Sequence, residues 1–418
     1  MKRGYAGSYP FLGEMVWFYS GAAFGNRLVK NRSIRYNRGR GDRVLLKGGI
    51  YLTEEGVLKE NPGIYIRNGK IEAIGFHGED DHVIHLDGMF IFPGFIDAHC
   101  HTGVEEQDMG FEGNDINDVG DPNQADVRGI DGFNPFDTGV KEALEAGVTT
   151  IHTGPGSANC IGGTFTIVKT HGTVVDEMVL VKDSAMKIAF GENPKRFHGE
   201  RQGKSPFTRP KIMAIHREQI MRSQDYGSRD NPTFDAKLAA FLPVLDQTIP
   251  LKAHCHRADD IASAIRLAKE FHLRLTLDHV TEGHLIAEYI RDSGFPAIVG
   301  PSFGGRPKIE LKNKTYKTAG ILSNLGVKVA IMTDAPVIPL DHLPLCAALA
   351  VRDGMKREDG YRAITIVPAE IMGVDHRVGS IAPGKDADFA IYDKDFMDRV
   401  DARCLMTIVE GEVVYEAI

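Results

Sequence analysis

Apolar and polar positions alternate with a period of two at both ends of the chain and adopt longer periods in the middle. From Arg43 the runs VLLKGGIYL, GIYIRNGKIEAIG and HVIHLDGMFIF read as strands with one buried face. Asn68-Gly69, inside the second run, is a hairpin turn pair. Residues 379–391 and 405–415 have the same texture at the far end. Two strand-rich ends around a different middle predict one small β-sandwich domain built from residues 43–92 together with 374–418. In the middle, apolar strand candidates at 148–152, 185–190, 251–256, 274–279, 297–300 and 327–333 alternate with helical stretches at 137–146, 259–271, 282–292 and 316–325. Repeated strand-then-helix units imply parallel strands joined by right-handed crossovers. About eight such units fit between residues 93 and 373, so the fold class is α/β, a (β/α)8 TIM barrel. A doubly wound open sheet is the alternative, and the placement of the histidines argues against it.

Residues 1–42 do not join either pattern. An apolar stretch there is broken by Glu14, lacks a small-residue cleavage site, and gives way to a basic segment between Arg27 and Arg43. The expectation is a disordered extension, or residues translated from an upstream start.

Composition narrows the class without naming it. The chain has 418 residues, 42% hydrophobic and 25% charged, enough for a barrel with a satellite domain. Lys and Arg number 49 against 57 Asp and Glu, a formal net charge of −8 that argues for neither a nucleic-acid nor a membrane-surface partner. The five cysteines (Cys100, Cys160, Cys255, Cys346, Cys404) are scattered and form no C-x-x-C pair, which points away from a disulfide framework and toward the cytoplasm. A small-molecule substrate is the expected partner.

The chemistry lies at strand ends. In Pro93-Gly94-Phe95-Ile96-Asp97-Ala98-His99-Cys100-His101, residues two apart in a strand face the same way, so His99 and His101 point together. Cys100 faces oppositely and packs as a small apolar group. The pattern recurs at His254-Cys255-His256, the next strand candidate ends in His279, and a later one runs into Asp334. The carboxyl ends of barrel strands converge on one mouth, so residues far apart in sequence would meet there. Imidazole and carboxylate ligands without thiolate suit zinc first, then manganese or iron, with one or two ions per chain. Arg209 and Arg306, on predicted loops above the barrel, are candidates to grip a substrate carboxylate, with ordinary surface arginines the simpler reading. The basic stretch 194–226 is expected to form part of a lid. No G-x-x-x-x-G-K-[ST] phosphate loop is present.

PGFID-x-H-x-H, the later strand-end histidines, the terminal-strand Asp and the closing GSIAPGKDADFAIYD together resemble the amidohydrolase superfamily, over residues 43–418. The region around GENPKR is similar to an imidazolonepropionase-like and dipeptidase-like branch. The resemblance implies a metal-dependent hydrolase of carbon–nitrogen bonds, often a homo-oligomer. By that likeness His99 and His101 hold a first metal, His254 and His279 a second, and Asp334 binds the first and shuttles protons, with Asp334 and His279 the expected catalytic pair. A carboxylated Lys187 or an unmodified Glu192 would bridge the ions, the buried position of Lys187 favouring it slightly. His256 faces the same way as His254 and would touch substrate or sit behind the ligands. Two other readings stand beside this one. A deaminase of a cyclic amidine typically carries Glu three residues after the fifth-strand histidine, where this chain has Arg257. A catalytically silent scaffold barrel should lack several ligands that are all present here.

Overall fold

The computed structural model describes residues 43–76 and 82–417, and the expectations for residues 1–42 lie outside them. Eight strands form one sheet in sequence order: β1 (Phe95–Cys100), β2 (Val148–Thr153), β3 (Ile161–Lys169), β4 (Val179–Ala189), β5 (Leu251–Cys255), β6 (Leu275–His279), β7 (Ala297–Val299) and β8 (Val329–Ile331). The sheet curls into a barrel whose first and last strands meet at a seam. At the mouth the seam is joined by Asp334 N–H donating to His99 C=O (3.2 Å) and His101 N–H donating to Ala335 C=O (2.7 Å). At the floor, Ile96 and Ile331 instead donate to the carbonyls of Ile364 and Ala363 (both 2.9 Å). The (β/α)8 TIM barrel expected from the sequence is the fold observed.

One strand departs from the expected repeat. β3 runs antiparallel to both β2 and β4, and residues 154–160 join β2 to β3 without a helix. Gly162 and Gly163 disguise this strand in the sequence. Gly163 has φ +112°, and a Cβ there would lie 2.2 Å from the Val127 carbonyl oxygen, so the position excludes a side chain. Pairing with β3 also extends β4 over eleven residues, well beyond the 185–190 run. The helices fall close to their expected places at Thr138–Glu145, Ala258–Phe271 and Lys317–Asn324, whereas 282–292 breaks into a short 3-10 turn and the helix Ala287–Ser293. Asp137 caps the first of these by accepting from Gly139 N–H (3.0 Å), and it also takes Gly103 N–H (2.8 Å), fixing the loop that leaves β1.

Both chain ends supply the second layer. A four-stranded sheet comes from residues 43–85, and a six-stranded sheet interleaves residues 50–60 and 90–93 with 389–416. Leu46, Ile64, Ile66, Ile71 and Ile84 of one sheet pack on Ile91, Phe389, Ile391, Met406 and Ile408 of the other, as a sandwich requires. Asn68-Gly69 takes the turn its sequence predicts, with φ of 50° and 75°. Phe92, Phe95, Tyr361, Tyr392 and Phe396 stack at the junction between sandwich and barrel floor, with ring centroids 4.9–5.9 Å apart.

The GKDAD motif lies at this junction. Asp386 and Asp388, entering the strand Phe389–Tyr392, hold Lys169 at the end of β3. Asp386 also pairs with Arg377 (2.9 Å) and Lys70, while Asp388 accepts Glu410 N–H (2.9 Å). All three principal partners are buried. Lys169→Met should therefore leave two buried carboxylates short of their cation and destabilise the protein by about 3–5 kcal/mol. Chemical denaturation measures this directly, and a loss under about 1 kcal/mol would show that the clamp does not carry the junction.

Candidate metal centre

Strand parity places the functional side chains. Asp97, His99 and His101 share one face of β1, Lys252, His254 and His256 share one face of β5 and its extension, and Lys187 sits on β4 beside them. All seven of these groups, with Asp278 and His279 on β6, are buried. His99 and His101 lie 5.2 Å apart between ring centroids, and their Nε2 atoms are 3.5 and 3.3 Å from Asp334 Oδ1. His279 bridges the two halves of the site. Its ring is 5.2 Å from His99, 4.3 Å from His254 and 4.4 Å from His256. Phe165 of β3 forms the floor, its ring 5.3 Å from His99 and 5.1 and 5.2 Å from the Nζ atoms of Lys187 and Lys252.

Hydrogen bonds behind the rings decide which nitrogen faces the mouth. His99 Nδ1 meets Asp278 Oδ2 (2.6 Å), His101 Nδ1 meets Gly154 C=O (2.8 Å), and His279 Nδ1 meets Gly300 C=O (3.0 Å). A neutral ring that donates from Nδ1 keeps its Nε2 lone pair free. Burial holds His99, His254, His256 and His279 well below the usual imidazole range, and so in the neutral form. His279 Nε2 is buried with no hydrogen-bond partner. His99, His279 and Asp334 each offer a ligand atom within 4.8 Å of the others, as do His254, His256 and His279. The bare, buried Nε2 of His279, standing among neutral rings and the Asp334 carboxylate, fits a divalent cation.

Four charged residues complete the surroundings, and none of them stands among the functional residues expected from the sequence. Asp278 Oδ2 accepts from Lys252 Nζ (3.1 Å) as well as from His99, and Lys252 also donates to Ala98 C=O (2.9 Å). Asp97 accepts from His99 N–H, Thr333 N–H and Thr333 Oγ1 (2.9, 2.9 and 2.7 Å), bracing β1 against the segment before Asp334; burial pushes its carboxyl up to about 6. Glu310, on the loop after β7, lies with Oε1 3.6 Å from His256 Nε2 and 4.0 Å from His254 Nε2, and burial pushes it up to about 7. Parity could have found Asp97 and Lys252, which share faces with His99 and His254. No periodicity marks Glu310.

Lys187 is fully buried, 3.1 Å from His99 Nε2, and burial lowers its ammonium to about 8. Glu192 does not join the centre: its Oε2 lies 3.4 Å from Glu310 N, because the chain turns away from the mouth at Gly191 (φ 80°). Arg209 is held bidentately by buried Asp260 (2.8 and 3.0 Å), which occupies the fork expected to take substrate. Arg306 is exposed and donates to Lys314 C=O (2.8 Å). The stretch 194–226, expected to form part of a lid, is mostly helix, including Arg209–Gly227. His152 lies beneath Phe165, bonded to Ser184 Oγ (2.7 Å). All five cysteines are buried free thiols, Cys100 packing into the core as expected and Cys255 doing the same. No helix among the described residues is long and apolar enough to cross a membrane.

A barrel whose strand ends gather His, Asp and Lys in this way offers a candidate metal site, and comparison with known proteins gives the family. An amidohydrolase family model matches residues 246–415. The crystal structure of an amidohydrolase from Thermotoga maritima MSB8 superimposes with a TM-score of 0.86 at 36% identity, covering 90% of this chain and 100% of that one. Amidohydrolase tasK of Hapsidospora irregularis is 28% identical over 359 residues, 76% of this chain, which spans only 36% of that longer protein. Imidazolonepropionase of Klebsiella pneumoniae (strain 342) is 25% identical over 367 residues, 80% of this chain and 87% of the relative. The chain belongs to the amidohydrolase family and is a hydrolase acting on carbon–nitrogen bonds.

The Asp278 bond to His99 fixes ring orientation at the centre, the role outer carboxylates play around metal-ligating histidines. Asp278→Asn is expected to weaken zinc affinity by about 10–100-fold, read by competition with a chelator. Unchanged affinity in a folded variant would mean that His99 is oriented by packing alone.

Proposed function

We propose that this enzyme hydrolyses an amide, cyclic amide or peptide-like bond at a two-cation centre, with zinc the first choice of metal. His99, His101 and Asp334 would hold one ion, His254 and His279 the other, and a carboxylated Lys187 would lie between them. The observation that carries the reading is the convergence of these side chains from β1, β4, β5, β6 and the segment after β8 on one mouth. Lys187 supports its part in a specific way. Among the described residues no carboxylate makes a salt bridge to it, although buried Lys252 has Asp278. An unpaired buried ammonium is costly, and carboxylation converts it into an anion that cations stabilise.

Bound cations would supply Lewis acidity, lowering the pKa of water from about 15.7 toward about 7 and polarising the scissile carbonyl. The protein's own groups do the rest. Asp334, partly exposed at the mouth, would take a proton from the attacking water and deliver it to the leaving nitrogen. Phe165 closes the floor of the barrel beneath the reacting groups and keeps bulk water from that side. The deaminase reading gains nothing from the fifth-strand position, since Arg257 points to Asp259 (2.9 Å) on its own helix.

Elemental analysis of purified protein, followed by a screen of N-acyl amino acids, dipeptides and cyclic amides, tests the proposal. Asp334→Asn is the informative variant, because Asp334 has φ 58° and asparagine tolerates that left-handed conformation. The expected result is a loss of about 10²–10⁴-fold in kcat with metal content largely kept. Wild-type turnover by the variant would remove Asp334 from proton transfer.

A further inference from the structure

The loop after β7 brings a carboxylate into the centre that no reading of the strand ends requires. Glu310 sits on the 3-10 turn Ile309–Leu311 with 1% of its side chain exposed. Its Oε2 is engaged, accepting Glu192 N–H (3.2 Å). Its Oε1 is buried and makes no hydrogen bond. That bare oxygen faces His256 Nε2 at 3.6 Å and His254 Nε2 at 4.0 Å, on the side of the cavity where His279 Nε2 is likewise bare. The backbone makes room for it: Gly191 has φ 80°, and a Cβ there would come within 3.2 Å of Glu310 Oε2.

The spacing has a chemical meaning. Ligand atoms about 2.0–2.1 Å from a tetrahedral zinc lie roughly 3.4 Å from one another. Glu310 Oε1 stands at 3.6 and 4.0 Å from two of three imidazole nitrogens that are themselves within 4.8 Å of each other. The neighbouring cation does not account for the carboxylate, because Lys308 Nζ is 3.7 Å from Oε1, is 28% exposed and forms no hydrogen bond to it. Asp260, also adjacent, is already matched by Arg209. His256 is backed through Nδ1 by Thr281 Oγ1 (2.8 Å), an arrangement that orients a ligating ring as it does at His101 and His279.

We infer that His256 and Glu310 are metal ligands, completing with His254 and His279 a three-histidine, one-carboxylate site for a divalent cation. The inference rests on the two-cation reading and deepens it. The second ion would then be held by β5, β6 and the loop after β7, and His256 would be a ligand rather than a substrate contact. Asn193 Nδ2, 3.4 Å from His254 Nε2 and bonded to Ser157 Oγ (2.7 Å), would have to release its contact with the ring when the cation binds.

The test is metal stoichiometry on the full chain, independent of turnover. Metal-free protein is titrated with Zn²⁺ and with Co²⁺, and bound ion is counted by elemental analysis alongside the cobalt absorption spectrum. Wild type should take two ions. Glu310→Gln and His256→Asn should each keep one ion tightly and bind the second at least 10-fold more weakly, with the cobalt bands of one site altered; His101→Asn should instead weaken the other ion. Thermal melting without metal, unchanged from wild type, certifies that each variant is folded. If Glu310→Gln and His256→Asn both bind two ions with wild-type affinity and spectrum, the inference is overturned and the two-cation reading survives. If wild type binds a single ion that Glu310→Gln weakens and His101→Asn does not, the two-cation reading fails while the three-histidine site stands. A single ion with the opposite sensitivity, or no ion at all, overturns both.

Discussion

Charge inside the barrel is the constraint on which the rest of the molecule depends. The interior of such a barrel is ordinarily filled by branched apolar side chains. Here Asp97, Lys187, Lys252 and Asp278 are wholly buried beside four histidines. Charges in that setting persist only when each is matched and hydrogen-bonded. Asp278 meets the requirement by standing between Lys252 and His99, with Thr276 Oγ1 donating to its other oxygen (3.0 Å). Asp97 meets it with two backbone N–H groups and a hydroxyl. Lys187 is the member of the set whose match is incomplete, and that imbalance sits at the centre of the proposed site.

The backbone is shaped to the same end. His279, Val280 and Asp334 all adopt left-handed φ values of 73°, 51° and 58°, which side-chain-bearing residues seldom do. Such conformations cost of order 1–3 kcal/mol each and persist where surrounding structure over-determines them. The surroundings are visible at both ends. His279 is held through its ring by Gly300 C=O, and the segment at Asp334 is held by its own N–H on His99 C=O and by Thr333 on Asp97. The seam of the barrel is therefore closed at the mouth by the segments that carry His99, His101 and Asp334. Loosening the seam would move these side chains, so barrel closure and site geometry are one interaction.

Much of this was legible in the sequence because a strand has a simple code. Alternation put His99 with His101 and His254 with His256, and the convergence of strand ends joined them to His279 and Asp334. The same code marks Asp97 and Lys252, which share those faces but lie deeper, where a charged residue in an apolar run passes for an interruption. β3 was hidden because Gly162 and Gly163 remove the alternation where the chain passes against Val127. Glu192 and Glu310 show where the code stops. Both ride on loops, and whether a loop carboxylate points into the cavity depends on a turn such as Gly191, whose geometry no period announces.

The closing motif separates family likeness from chemistry. GKDAD is among the features by which the chain resembles its relatives, yet its aspartates lie at the barrel floor, gripping Lys169, Lys70 and Arg377. They serve the junction between sandwich and barrel. The motif at the other end, PGFIDAHCH, does both jobs in nine residues: Gly94 lets β1 pass within contact of Thr149, where a Cβ would lie 2.1 Å from the hydroxyl oxygen, and His99 and His101 arrive at the mouth. A match to such motifs therefore reports first that the barrel is anchored and closed. What the barrel does is decided by the side chains at its mouth. Glu310 and Lys187, which the motifs do not contain, are where this chain can differ from relatives that share its floor.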